Sequence, residues 1–280
     1  MYQNVIFKSV GTYHPATKTS NSYYVNHFKS MGIDVSGLVE HLGRNTRCIA
    51  DPKQENTVTM AYHASLKALQ SANVSPEEID LIIFGTDCPE KLVPSNAILL
   101  HDKLHTINAH QIFDLNSNCI GMLTAIDIGS RLLINNTRLN KALIVGSFMG
   151  NFISSKTDPV CYSNMADAAA AIILERVEEP YRRGFIDSSF KTDTIVKDKF
   201  QYPVCGFSNL FDEGIDPEDK KLKLDPFDTG FVPGEWIKLM QALFDRYSIT
   251  KDDIKQYFFS QFSKPDAEKT LDLLSLDYDK

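Results

Sequence analysis

Two short stretches, Leu81-Ile-Ile-Phe84 and Lys141-Ala-Leu-Ile-Val-Gly146, constrain the fold more than any other part of this sequence. Both are continuous apolar runs without polar alternation, the pattern of strands buried on both faces of a parallel sheet. Parallel neighbours need crossover segments, and helical patterns lie where those crossovers are required. After Asn56-Thr57, the apolar positions Val58, Ala61, Leu66 and Leu69 recur at helical spacing, and a further helix runs from Pro94 towards His105. Residues Tyr2–Val10, Gln111–Leu115 and the small-residue run Ala166–Leu174 complete the strand set. Strands alternating with helices predict an α/β fold with a mostly parallel sheet covered on both faces.

Composition removes several function classes. The 280 residues carry a formal charge of −7, and no cluster of Lys and Arg offers a phosphate-binding surface, so nucleic acid is not an expected partner. No apolar run reaches membrane-spanning length, and no basic N-terminal region precedes an apolar stretch, so no membrane is expected and the expected location is cytoplasmic. The cysteines (Cys48, Cys88, Cys119, Cys161, Cys205) are odd in number and lack a C-x-x-C pair, against both disulfides and a cysteine zinc site. His101, His105 and His110 have no clustered ligand of another type and read as a surface helix face; no metal is expected.

Within this frame Cys119 occupies an unusual place. In Phe113-Asp-Leu-Asn-Ser-Asn-Cys119-Ile-Gly-Met122 an apolar strand runs through three small polar residues into a thiol and then a long apolar helix. A cysteine there faces the first helical N–H groups, which lack internal partners and carry partial positive charge. That setting predicts a lowered thiol pKa and a nucleophilic thiolate. A buried structural cysteine is the other reading. Further along, 178–227 reads as an irregular connection, and Gly234-Glu-Trp236 opens an amphipathic helix through Arg246 with Trp236 packed in the core. Ser248-Ile-Thr250-Lys-Asp-Asp253 echoes Val74-Ser-Pro-Glu-Glu78, and Tyr257-Phe-Phe259 reads as a buried strand like Leu81–Phe84. This recurrence of helix, capped turn and apolar strand points to internal duplication.

Taken together, Gly43–Ala50, the helix from Thr57, Asp80–Gly85, Pro94-Ser95, Asp114–Gly121, Leu143–Ser147 and Ala166-Asp167 resemble the 3-oxoacyl-acyl-carrier-protein synthase III branch of the thiolase-like superfamily. The resemblance implies a five-layered αβαβα fold made of two duplicated halves, an N-terminal half over 1–176 carrying the cysteine and a C-terminal half over 177–280. It implies that the C-terminal half is incomplete, since the chain stops at Lys280 before the family's last strands. It also implies acylation of Cys119 from an acyl-coenzyme A or acyl-carrier-protein thioester, with no bound cofactor and with coenzyme A or phosphopantetheine thioesters as substrates. The implied assembly is a homodimer, or a heteromer with an active paralogue.

The sequence departs from the family at specific positions. Gln261 stands where the resemblance expects a histidine, and every histidine lies at or before His110. Lys264 falls close behind, where an asparagine is common. Of the expected coenzyme A contacts, His41 replaces an arginine, Asn45 replaces a basic residue, and Arg47 is kept. Gln261 can donate an amide hydrogen to an oxyanion but cannot cycle a proton at neutral pH. Two readings follow: an acyltransferase acting through Cys119 and Gln261, with condensation weakened, or a catalytically impaired partner subunit of a heteromeric ketoacyl synthase.

Overall fold

The computed structural model describes residues 1–41, 43–261 and 263–278. In chain order the elements begin with β1 (Tyr2–Tyr13), β2 (Lys18–Ser20), α1 (Asn21–Lys29), α2 (Ser36–His41), β3 (Thr46–Cys48), α3 (Thr57–Ala72) and β4 (Leu81–Gly85). Next come α4 (Asn96–Leu104), β5 (Gln111–Leu115), α5 (Gly121–Asn135), β6 (Lys141–Met149), α6 (Gly150–Ile153), α7 (Pro159–Asn164) and β7 (Asp167–Glu179). The rest of the chain adds β8 (Phe200–Gln201), β9 (Lys223–Leu224), α8 (Val232–Tyr247) and α9 (Lys264–Leu274).

These elements pack into two units, each assembled from separated stretches. The first comprises Met1–Thr19, Thr46–Ile153 and Met165–Ile186; the second comprises Ser20–Asn45, Ser154–Asn164 and Asp187–Lys280.

The first unit is built on a five-stranded sheet of order β1-β7-β6-β4-β5. β4 pairs in parallel with both β5 and β6, whereas β7 pairs antiparallel with β6 and β1. The mostly parallel sheet expected from the sequence is thus a mixed one. The runs at 81–84 and 141–146 signal burial on two faces, which an interior strand of a mixed sheet satisfies equally well. Leu81, Ile82, Ile83 and Phe84 are all at 0% exposure, each contributing roughly 1.5–3 kcal/mol of apolar burial. Because strand side chains alternate, Leu81, Ile83, Ala142 and Ile144 share one core cluster with Ala125 and Leu133 of α5. Their alternates Ile82, Phe84, Leu143 and Val145 take the face covered by α3 and α4.

Small residues set how closely the helices approach. A Cβ on Gly11 of β1 would stand 2.2 Å from the Ala64 carbonyl oxygen of α3, and Ser9 donates to the Ala68 carbonyl one turn on at 2.7 Å. α3 itself starts at a reciprocal cap, in which Asn56 accepts from Thr59 N and Thr59 accepts from Asn56 N. Asp114 of β5 fastens α4, its carboxylate accepting from the backbone N–H groups of Asn96 and Ala97 and from the Asn96 amide at 2.7–2.9 Å.

In the second unit, Tyr24, Phe28, Val35, Val39 and Tyr162 form a buried cluster. The echo read from sequence is present in its first two parts: Ser75 with Glu78, and Thr250 with Asp253, both make reciprocal caps after a long helix. Its third part is absent. Residues 256–260 form no strand, and Phe258 is 92% exposed. A strand needs a hydrogen-bonded neighbour, and β8 with β9 is the only strand pair lying wholly within this unit's described residues, besides an isolated bridge between Ser154 and Leu222. The segment is held instead by ring contacts: Phe259 stacks on Trp236 of α8 at 5.4 Å and lies 6.2 Å from Tyr257. Trp236 is accordingly half-buried rather than enclosed in a core.

Candidate active site

The parallel pairing brings the carboxyl ends of β4 and β5 into line, with Gly85 opposite both Leu115 and Gly146 of β6, which runs on to Met149. Open α/β sheets place ligands beyond such ends, where loops leave neighbouring strands. Here the loops carry Thr86-Asp87-Cys88 from β4 and Asn116-Ser117-Asn118-Cys119 from β5, and the Thr86 N–H donates to the Leu115 carbonyl at 3.1 Å.

Each polar residue before the cysteine has a local task. The Asn116 side chain accepts from the Asn118 N–H at 3.2 Å, a turn that mimics a backbone hydrogen bond. Asn118 has φ +50°, a left-handed conformation that asparagine tolerates better than most residues. Ser117 accepts from Thr124 at 3.2 Å, tying the turn to α5. Cys119 sits in a single 3₁₀ turn, Asn118–Ile120, immediately before α5. Two glycines let that helix press onto the sheet. A Cβ on Gly85 would lie 3.4 Å from the Gly121 carbonyl carbon, and one on Gly146 would lie 2.8 Å from the Met122 sulfur.

Cys119 is solvent-exposed as a residue, yet its pKa lies above the ordinary thiol value. Desolvation by surrounding protein is the largest cause, the Asp87 carboxylate adds to it, and the Cys119 N–H opposes both. The expected lowering by a helix start is therefore reversed. The physical reason is desolvation first and the Asp87 charge second, which together outweigh the one opposing contribution, from the Cys119 N–H. Cys88 is 4% exposed, accepts from the Met149 N–H at 3.1 Å, and burial raises its pKa too. Burial pushes Cys161 up to about 12.

The other residues singled out from sequence fall elsewhere. Arg47, on β3, is 1% exposed, and Asp167 is fully buried, accepting from the N–H groups of Ala50 and Asn151 at 2.8 and 3.0 Å. Gln261, Lys264 and His41 belong to the second unit, where two neighbouring segments carry them. Arg44 donates to the Gln261 carbonyl and to the Asn164 side chain, both at 3.1 Å. The Lys264 chain covers Gly43, and its ammonium pairs with Glu268 at 3.4 Å. His41 ends α2 and is exposed. No metal-binding cluster of His, Cys, Asp and Glu exists among the described residues.

Sequence reasoning missed Asp87 and Arg44. Asp87 had a readable signal, since it follows the carboxyl end of β4 as the cysteine loop follows β5. Arg44 had none, because its partners lie 120 and 217 positions away.

Comparison with known proteins agrees with this geometry. Residues 113–194 match the family profile of 3-oxoacyl-[acyl-carrier-protein (ACP)] synthase III. A Beta-ketoacyl-[acyl-carrier-protein] synthase III of Clostridium perfringens is 40% identical over 125 residues, 45% of this chain and 38% of that protein. The chain's match thus spans well under half the length of that curated relative. Among solved structures, a 3-oxoacyl-[acyl-carrier-protein] synthase III from Aquifex aeolicus VF5 matches all of this chain and 83% of its own, with TM-score 0.78 and 19% identity. A 3-oxoacyl-(acyl-carrier protein) synthase from Burkholderia xenovorans LB400 matches 99% of this chain and 79% of its own, with TM-score 0.81 and 21% identity. Through its middle the chain is similar in sequence to 3-oxoacyl-[acyl-carrier-protein] synthase III, and over its whole length its α/β fold is like that of these solved synthases.

Proposed function

We propose that the chain is an acyltransferase in which Cys119 takes an acyl group from an acyl-coenzyme A or acyl-carrier-protein thioester. The observation that carries this reading is the position of Cys119, on an exposed turn beyond the aligned carboxyl ends of the parallel pair β4 and β5 and inside the matched stretch 113–194. The Cys119 N–H at the start of the turn into α5 is the natural donor to the oxyanion of the tetrahedral intermediate. His41 and Lys264 would serve the donor's phosphates or pantetheine arm, and Gln261 would offer a neutral amide where the family uses a histidine; Arg47, at 1% exposure, offers a donor no surface. No bound cofactor is needed for acyl transfer between thiols. The acting form is a cytoplasmic homodimer, a reading supported by β5 ending the sheet as an unpaired edge.

A second reading, a catalytically impaired partner subunit, draws on the raised Cys119 pKa and on a neutral residue at 261. Both readings meet in one experiment. Purified chain is mixed with a panel of acyl-coenzyme A donors, and free coenzyme A is followed with and without a malonyl thioester. The acyltransferase reading expects a stoichiometric burst that Cys119→Ala abolishes. No burst with any donor defeats it, and sustained malonyl turnover by this chain alone defeats the partner-subunit reading.

A further inference from the structure

The loop after β4 presents a carboxylate that the rest of the molecule leaves unengaged. Asp87 is half-buried, and no hydrogen bond or ion pair reaches its side chain from the described residues. Half-buried carboxylates are normally paired, because desolvation of an uncompensated charge is costly. Its place is fixed by the sheet: Thr86 bonds to Leu115, and Gly85 abuts the Gly121 backbone, so 87 and 119 share one sheet end.

Other ionisable groups on the surrounding elements are engaged or distant. On β5, Asp114 is occupied by the amides of α4, and on α5, Asp127 pairs with Arg131 at 2.8 Å. Cys88 turns its sulfur to Met149 N, Lys141 lies at the opposite end of β6 beside Glu78 and Glu175, and Glu90 is exposed further along the β4 loop.

We infer that Asp87 is the proton partner of Cys119, accepting the thiol proton as the sulfur attacks a thioester carbonyl and returning it to the departing thiolate. The inference rests on the acyl-transfer reading above. In the step, the bond from Cys119 Sγ to the acyl carbon forms and the bond from that carbon to the donor sulfur breaks. The proton passes from Cys119 to Asp87 and then to the leaving sulfur, with nothing oxidised or reduced. Desolvation raises the Asp87 pKa, bringing it nearer the thiol it serves and making it a better base. Desolvation of the sulfur, with the Asp87 charge adding to it, meanwhile holds Cys119 as a thiol at rest, so the sulfur needs a base only when substrate arrives. This supplies a proton acceptor without a histidine.

The test compares wild type, Asp87→Asn and Asp87→Glu by two readouts. Iodoacetamide alkylation of the Cys119 peptide is measured against pH, and coenzyme A release from an acyl donor is measured at neutral pH. In Asp87→Asn the alkylation midpoint should move to lower pH, while coenzyme A release falls by about 10² to 10⁴. Asp87→Glu should recover most of that loss. A purely structural role would not make the sulfur more acidic and acyl transfer slower together. An unshifted alkylation profile, or coenzyme A release at the wild-type rate, overturns the inference. If wild type releases no coenzyme A from any donor, the acyl-transfer reading falls, and the alkylation shift alone still decides whether the two groups are paired. Should Asp87→Asn fail to fold, the acid limb of wild-type coenzyme A release decides: the inference requires it above the ordinary carboxylate range.

Discussion

At the scale of single residues, the environment of Cys119 decides how it behaves. With desolvation and Asp87 both raising its pKa, little thiolate exists at neutral pH, and that fraction grows about tenfold per pH unit until the thiol's own pKa is reached. Alkylation of the Cys119 peptide should therefore be slow near pH 7 and climb steadily to an alkaline plateau, with a midpoint above that of an unfolded control peptide. A midpoint below the control would mean that the helix start prevails. Cys88 and Cys161, buried and raised by desolvation, should react only after unfolding. The turn itself was legible in the sequence, because Asn-Ser-Asn between an apolar strand and an apolar helix is turn chemistry in its plainest form. The sign of the pKa shift was not. It depends first on desolvation by the surrounding protein and then on Asp87, 32 positions earlier in the sequence, and no local pattern reports either.

At the scale of elements, close helix–sheet approach rests on positions without side chains. Gly11→Ala would drive a methyl group into the Ala64 carbonyl oxygen and to within 2.5 Å of Ala68 N. Both are backbone atoms that cannot rotate away, so a loss of about 1–3 kcal/mol is expected. Chemical denaturation would show it as a lowered midpoint with unchanged slope, and an unchanged midpoint would mean that α3 does not ride on β1 this closely. Apolar patterning located β4 and β6 well, because strands this deeply buried read as continuous apolar runs. It failed at Tyr257-Phe-Phe259, where a similar run lacks a partnering strand and leaves Phe258 facing outwards. It also misjudged the sheet as mostly parallel, since burial on both faces says nothing about the direction of the next strand.

At the scale of the whole molecule, β5 closes one end of the sheet with an open ladder, and such edges are either paired or defended. Pairing with a second copy should give a particle of twice the 31.5 kDa chain mass in analytical ultracentrifugation, and a lysine substituted at Phe113 should shift it towards the monomer. A wild-type monomer at micromolar concentration would contradict the dimer. The fold class was readable from alternating strands and helices, whereas the packing units were not, because each gathers stretches far apart in sequence. The most direct test of the central claim is peptide mass spectrometry after incubation with acyl-coenzyme A donors. The account predicts one acyl group, on the peptide carrying Cys119, lost on hydroxylamine treatment and absent in Cys119→Ala. An unmodified Cys119 peptide with every donor, or an acyl group that persists in Cys119→Ala, would contradict it.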